Sequence, residues 1–179
     1  MDFEQLVTIR QSVRSYSDKP VEQEKLRLLV EAVRLAPSAC NSQPWKFIIV
    51  DDPVLLSQLA EAASAKLLGM NAFVQQAPVQ IVVVREKANM SSRVGATIKN
   101  RDYSLIDIGI ASENICLQAA AEGLGSCMIG WFDEKMVKKI LKIPASKRVE
   151  LLIPIGYPAK ETREKKRKPA GEVVSRNRY

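Results

Sequence analysis

The chain has 179 residues, 46% hydrophobic and 26% charged, long enough for one well-covered core and short for two. It has no histidine, which excludes imidazole-based serine and cysteine hydrolases, H-E-x-x-H metalloproteases and His-ligated metal centres. The formal charge of +7 is uneven: residues 160–179 carry eight Lys or Arg against three acids, a net of +5, so only +2 belongs to everything before them. Three cysteines without C-x-x-C spacing suggest neither a disulfide framework nor a thiolate metal site, and they fit a cytoplasmic protein. The polar, acidic start and the lack of any apolar run of roughly 18 residues predict no export signal and no membrane span.

In chain order, Asp2 and Gln5 form a capping-box pattern ahead of an amphipathic helix through Phe3, Leu6, Val7 and Ile9. The helix runs into Arg10-Gln11-Ser12-Val13-Arg14-Ser15-Tyr16, which reads as an anion cradle. If the helix continues, Arg10 and Arg14 share a face, and each guanidinium fork can hold a phosphate by paired hydrogen bonds. Leu26, Leu29, Val30 and Val33 predict a second helix that ends at Ala36-Pro37. A small-polar loop, 37–44, leads into Trp45-Lys46-Phe47-Ile48-Ile49-Val50, which reads as a buried strand.

Asp52-Pro53 signals a third helix ending near Gly69, and 71–76 reads as a short helical turn before a second strand over 79–84. Residues 87–100, rich in Ser, Asn, Lys and Arg, read as a mobile loop. The longest helix covers 104–122, apolar on most faces and expected to be buried, against its own core or another subunit, with Gly123 as its stop. A third strand is expected over 126–129, a helix capped by Asp133, and a fourth strand over 149–155.

Strands separated by helices argue for a layered α/β or α+β domain. Gly123-Leu124-Gly125 is no dinucleotide fingerprint: it joins a helix to a strand, and Met128 occupies the third glycine position. With no Walker glycine loop either, a phosphate ligand would depend on side-chain cations.

Four stretches, Arg10 to Tyr16, Ala36-Pro37-Ser38-Ala39-Cys40-Asn41-Ser42-Gln43-Pro44-Trp45, Gly123-Leu124-Gly125-Ser126-Cys127-Met128-Ile129-Gly130-Trp131 and Arg167-Lys168-Pro169, resemble successive motifs of the FMN-dependent nitroreductase family. The resemblance implies an α+β, three-layer fold with a mixed central sheet flanked by helices. It also implies an interlocked homodimer with FMN at the interface, each chain a single domain whose tail, about residues 158–179, wraps the partner. Carried onto this sequence, Arg10, Gln11 and Ser12 would hold the FMN phosphate and ribityl chain, with Arg167 or Lys168 closing on the phosphate. Arg14 would face the N1 and O2 edge of the isoalloxazine. Pro37, Ser38, Ala39 and Asn41 would reach the ring from the other subunit, Asn71 would meet the pyrimidine side, and Ile129 and Gly130 would approach N5. Cys40 reads as a small packing residue.

The activity implied is two-step: NAD(P)H passes hydride to flavin N5 and leaves, and an electron-poor acceptor of nitroaromatic or quinone type stacks in its place. No side chain need act as an acid or base. The rivals are a specialised FMN enzyme of the same fold, such as a reductive dehalogenase or flavin-consuming enzyme, and, from another class, a basic-tailed nucleic-acid or polyanion binder. The family reading expects a small-molecule acceptor and neither nucleic acid nor membrane as partner.

Overall fold

The computed structural model describes residues 1–64, 70–161 and 163–179. Four strands, β1 (Trp45–Val50), β2 (Val79–Arg85), β3 (Gly125–Ser126) and β4 (Arg148–Gly156), form one sheet in the order β1-β2-β4-β3. Every pair of these strands is antiparallel, and the sheet is mixed only through a parallel bridge from Ser12 to Ser126. The helices are α1 (Phe3–Ile9), α2 (Gln23–Arg34), α3 (Pro53–Ala63), α4 (Met90–Lys99), α5 (Tyr103–Ala121), α6 (Glu134–Ile140) and the short α7 (Ala170–Val173).

Alternation along β2 produces the three layers. Val79, Ile81 and Val83 turn to one face, where they meet Leu26, Leu29 and Val33 of α2 and Ile108, Ile115 and Ala119 of α5. Val82 and Val84 turn to the other, against Leu59 and Ala63 of α3, Val137 of α6, and Val74 in the short turn of 3-10 helix Ala72–Gln76. With both faces covered, β2 is an almost continuous β-branched run, and fully burying each such side chain contributes roughly 1.5–3 kcal/mol. β1 is an edge strand rather than a fully buried one, because only β2 pairs with it.

Local signals set most boundaries. Asp2 and Gln5 form the capping box, and Asp52, Asp102 and Asp133 accept first-turn amides at the starts of α3, α5 and α6. Gly123, at φ 72°, follows α5 as its left-handed stop. The end of α3 predicted near Gly69 lies outside the described residues.

Three predictions need correction. Residues 87–100 are not a loop: Asn89 accepts the Ser92 N–H and caps α4, whose Met90, Val94 and Ile98 stand at four-residue spacing on an outward face. The third strand is only Gly125–Ser126, although Ile129 exchanges two hydrogen bonds with Leu152 of β4. Within its own chain the α5 helix is buried on one side only, leaving Leu105, Ile106 and Ile110 exposed.

A Cβ on Gly125 would lie 2.7 Å from Cβ and both Cγ atoms of Val13. Gly125→Ala should therefore cost about 1–3 kcal/mol in urea unfolding. In a double-mutant cycle Val13→Ala should recover part of that loss, while strict additivity would place the strain elsewhere.

At the end of β4 the Tyr157 hydroxyl donates to Glu22 Oε2 at 2.6 Å, with Lys19 Nζ 3.9 Å above its ring. The Tyr157 bond is the main reason that the Glu22 carboxyl is held down to about 2 from an ordinary 4.5. A depressed folded-state pKa means stability that is present above about pH 4.5 and lost as pH falls toward 2. The stability gap between wild type and Tyr157→Phe should thus be constant above pH 4.5 and shrink below it in acid denaturation, whereas a pH-independent gap would contradict the assignment.

Candidate functional site

The cradle segment is not helical. At Arg10, φ −58° and ψ 122° carry the chain out of α1, so the helix does not continue and the condition for Arg10 and Arg14 to share a face is not met. The chain instead lies between β3 and the exit of β4. The Val13 N–H donates to Ser126 O at 2.9 Å, Ser17 N–H to Tyr157 O at 2.9 Å, and Ala159 N–H returns to Ser15 O at 3.0 Å. Tyr16 anchors this path. Its hydroxyl lies 2.9 Å from Val13 O and 3.2 Å from Pro154 O, its N–H donates to Gln76 Oε1 at 3.0 Å, and burial pushes the phenol's pKa well up, so it stays a neutral donor.

The tail folds back on the same segment. Arg163 N–H donates to Gln11 Oε1 at 3.2 Å, and Lys165 Nζ donates to Val7 O. Between the two strands of chain lies a cavity of about 330 Å³ lined by Gln11, Ser12, Val13, Arg14, Ser15, Pro158, Lys160, Glu161 and Arg163. Beside it, the Arg10 guanidinium meets Glu113 Oε1 through Nε at 3.0 Å. The Lys165 ammonium is held below the ordinary lysine range by partial desolvation and by the neighbouring Arg10 and Arg167 charges, with Glu113 opposing. Cations from both ends of the chain are thus near enough to repel one another, and Glu113 is the acid that offsets them. Lys165 was not anticipated; its place in a basic run gave no sign that it, rather than a neighbour, turns inward.

Under the cradle are two thiols. Burial raises both Cys116, to about 11, and Cys127, the latter opposed by Arg14 and by hydrogen bonds from Ser12 and Arg14. Both are protonated, inert packing at neutral pH. Cys40, predicted to pack, is exposed.

The other expected contacts lie elsewhere. Pro37, Ser38, Ala39 and Asn41 do not line the cradle cavity of their own chain. They form a tight 3-10 turn, Ala39–Asn41, in which Cys40, Asn41 and nearby Gln43 have φ of 53°, 50° and 47°. Left-handed backbone costs a non-glycine residue roughly 1 kcal/mol, so other bonds must fix this shape. Asp107 Oδ1 accepts the Ala39 N–H at 3.0 Å, and Asn89 Nδ2 donates to Cys40 O at 2.9 Å. Neither Asp107 nor Asn89 stood out in the sequence.

Asn71 uses its side-chain amide on Ala63 O and Trp131 O, at 3.2 and 3.1 Å. Ile129 is buried and its N–H is committed to Leu152 O at 2.8 Å, so Gly130 is the member of that pair able to offer a backbone donor outward. A Cβ on Gly130 would meet nothing of its own chain within 4 Å. The packing of this chain alone does not demand glycine there, which suits close approach by something bound. Trp131 is 62% exposed beside it, while Phe132 packs into the α3 side of the core. Arg167 and Lys168 are exposed on the tail.

Residues 7–157 match the Nitroreductase family. An FMN-dependent nitroreductase from Clostridium difficile superposes with a TM-score of 0.78 at 30% identity, covering 97% of this chain and 98% of that one. Among sequence relatives, an NADH dehydrogenase of Thermus thermophilus is 29% identical over 92% of this chain and 91% of its own, and an iodotyrosine deiodinase of Thermotoga neapolitana is 27% identical over 93% and 92%. With the three-layer sheet, the cationic cradle and four ordered motifs already in place, the family match settles the classification: this chain belongs to the nitroreductase family.

Proposed function

We propose that the protein is an NAD(P)H-dependent FMN oxidoreductase that reduces electron-poor aromatic or quinone acceptors. The observation that carries this reading is the meeting of Arg10 with Lys165 and Arg167 beside Gln11 and Ser12, an excess of positive charge without a glycine loop. Such a site fits a phosphate of nearly two negative charges, which is best held by several cations and neutral donors.

In this arrangement Arg10, Lys165 and Arg167 hold the phosphate of FMN, and Gln11 and Ser12 meet its ribityl chain. Lys168 adds to the positive field from the exposed tail. Arg14, exposed at the cavity, supplies a fixed cation for the N1 and O2 edge, where negative charge grows on reduction. The Gly130 N–H is the donor aimed at N5, and Asn71 fixes the Trp131 backbone at that edge. Bound FMN supplies the hydride chemistry between the nicotinamide and the acceptor. The chain's own part is to bind, orient and electrostatically favour the reduced cofactor, which is compatible with a sequence without histidine.

A second copy completes the site. Pro37, Ser38, Ala39 and Asn41 lie off the cradle cavity of their own chain, so they reach a flavin ring only across a homodimer interface. Exposed Phe3, Val7, Ile9, Leu105, Ile106, Ile110, Val173 and Val174 provide apolar surface for it. The tail packs on its own N-terminal segment through Arg163 and Lys165, which leaves 169–179 to reach the partner. The three unpaired cysteines suit a reducing cytoplasm. No helix among the described residues is long and apolar enough to cross a membrane.

One observation favours a second reading, reductive dehalogenation: α4 provides a helix where only a bare loop was expected, so a cover over the acceptor is available. Halide release from an iodinated phenol by the reduced enzyme would select it over nitro or quinone reduction.

The purified protein should be yellow, bleach with NAD(P)H without oxygen, and regain colour on adding a nitroaromatic or quinone. A colourless protein that binds nucleic acid with steep salt dependence would overturn the reading. Arg10→Ala should weaken FMN retention about 10- to 100-fold while leaving the visible spectrum of residual bound flavin in place. Full occupancy in that variant would contradict the phosphate assignment.

A further inference from the structure

The turn at Ser38 to Gln43 is held from outside as well as by its own hydrogen bonds, in which Ser38 Oγ accepts the Gln43 N–H at 2.9 Å and Ser38 O accepts the Asn41 N–H at 3.0 Å. Within five residues Cys40, Asn41 and Gln43 occupy the left-handed region, which asparagine enters more readily than cysteine or glutamine. Two side chains from other elements add to these bonds. Asp107, on α5 and 4% exposed, accepts the Ala39 N–H through Oδ1, and its Oδ2 is enclosed without a hydrogen-bond partner among the described residues. Asn89 donates through Nδ2 to Cys40 O and through its backbone N–H to Ser42 Oγ at 2.9 Å, while its Oδ1 caps α4.

A buried carboxylate with one idle oxygen is costly in an apolar helix, and the single bond to Ala39 is what its burial achieves among the described residues. Asn89 uses donor and acceptor on two different elements, so its side chain ties the first turn of α4 to the 38–43 turn.

We propose that Asp107 and Asn89 are positioning residues for the flavin ring: together they lock the 38–43 turn in the shape that it presents across the dimer, and Asn89 couples that shape to α4. The inference rests on the proposed FMN site, and it makes α4 part of the cofactor machinery rather than a peripheral insertion. Neither side chain touches the cofactor; both act through the backbone at Ala39 and Cys40.

Asn89→Ser separates the two roles, because a serine hydroxyl still accepts the Ser92 N–H while the shorter side chain has no second polar atom to take the place of Nδ2 at Cys40 O. In the dimeric holoprotein it should speed FMN dissociation about fivefold, change the visible circular dichroism of bound flavin, and raise hydrogen exchange at residues 39–43 with α4 exchange unchanged. Asp107→Ala should reproduce these effects, and Asp107→Asn, which keeps an oxygen for the Ala39 N–H, should restore wild-type behaviour. Wild-type dissociation and dichroism in both Asn89→Ser and Asp107→Ala would overturn the proposal, as would an Asp107→Asn no better than Asp107→Ala. Arg10→Ala, in the same assays, should release FMN without altering the dichroism of what remains or the exchange at 39–43. A wild-type protein that takes up no FMN would remove the proposed function itself, and the exchange at 39–43 would still test the lock.

Discussion

The structure depends on one docking event, the seating of the segment after α1 between β3 and the exit of β4. Three backbone hydrogen bonds, from Val13, Ser17 and Ala159, and the buried Tyr16 phenol hold it there. The fit is close enough that glycine is required twice: at Gly125, under Val13, and at Gly156, where a Cβ would come within 2.6 Å of Pro78 and 3.2 Å of the Tyr16 ring. The same backbone bonds draw the end of β4 and the start of the tail onto the cradle. Without that seating the residues after Pro158 would have no reason to lie beside Gln11.

Charge follows from geometry. Bringing Lys165 and Arg167 up to Arg10 sets like charges against one another, and the Glu113 carboxylate offsets only part of the repulsion. Like charges held this close are relieved by a bound anion, which supports the proposed phosphate site. The cluster is half exposed, which keeps its pull dependent on ionic strength.

Much of this was legible in the sequence because local chemistry agreed with the fold. Capping residues at Asp2, Asp52 and Asp133, the stop at Gly123 and the β-branched run of β2 each gave correct elements. The failures share a cause, in that tertiary contact outweighed local pattern. Met90, Val94 and Ile98 had helical spacing and Asn89 was a good cap, but a stripe facing outward amid polar residues does not look like core, so α4 was read as a loop. Whether the helix continues from Arg10 to Arg14 is open in the sequence, since nothing local forbids it; pairing of Ser12 with Ser126 pulls the chain straight. Asp107 was invisible because one acid in an apolar helix carries no spacing, and its role appears only when Ala39 is found above it. The cofactor contacts came from the resemblance and stand as proposals; the structure places Lys165 against the same segment and commits the Ile129 N–H to Leu152 O, which leaves Gly130 as the proposed N5 donor.

In the proposed site the phosphate is the handle by which the protein holds FMN. Titrating the apoprotein with FMN and with riboflavin, which share the ring and ribityl chain, isolates that handle through quenching of flavin fluorescence. FMN should bind about 100-fold or more tightly than riboflavin at low salt, with the gap narrowing as salt rises. Equal affinity for the two flavins would contradict it.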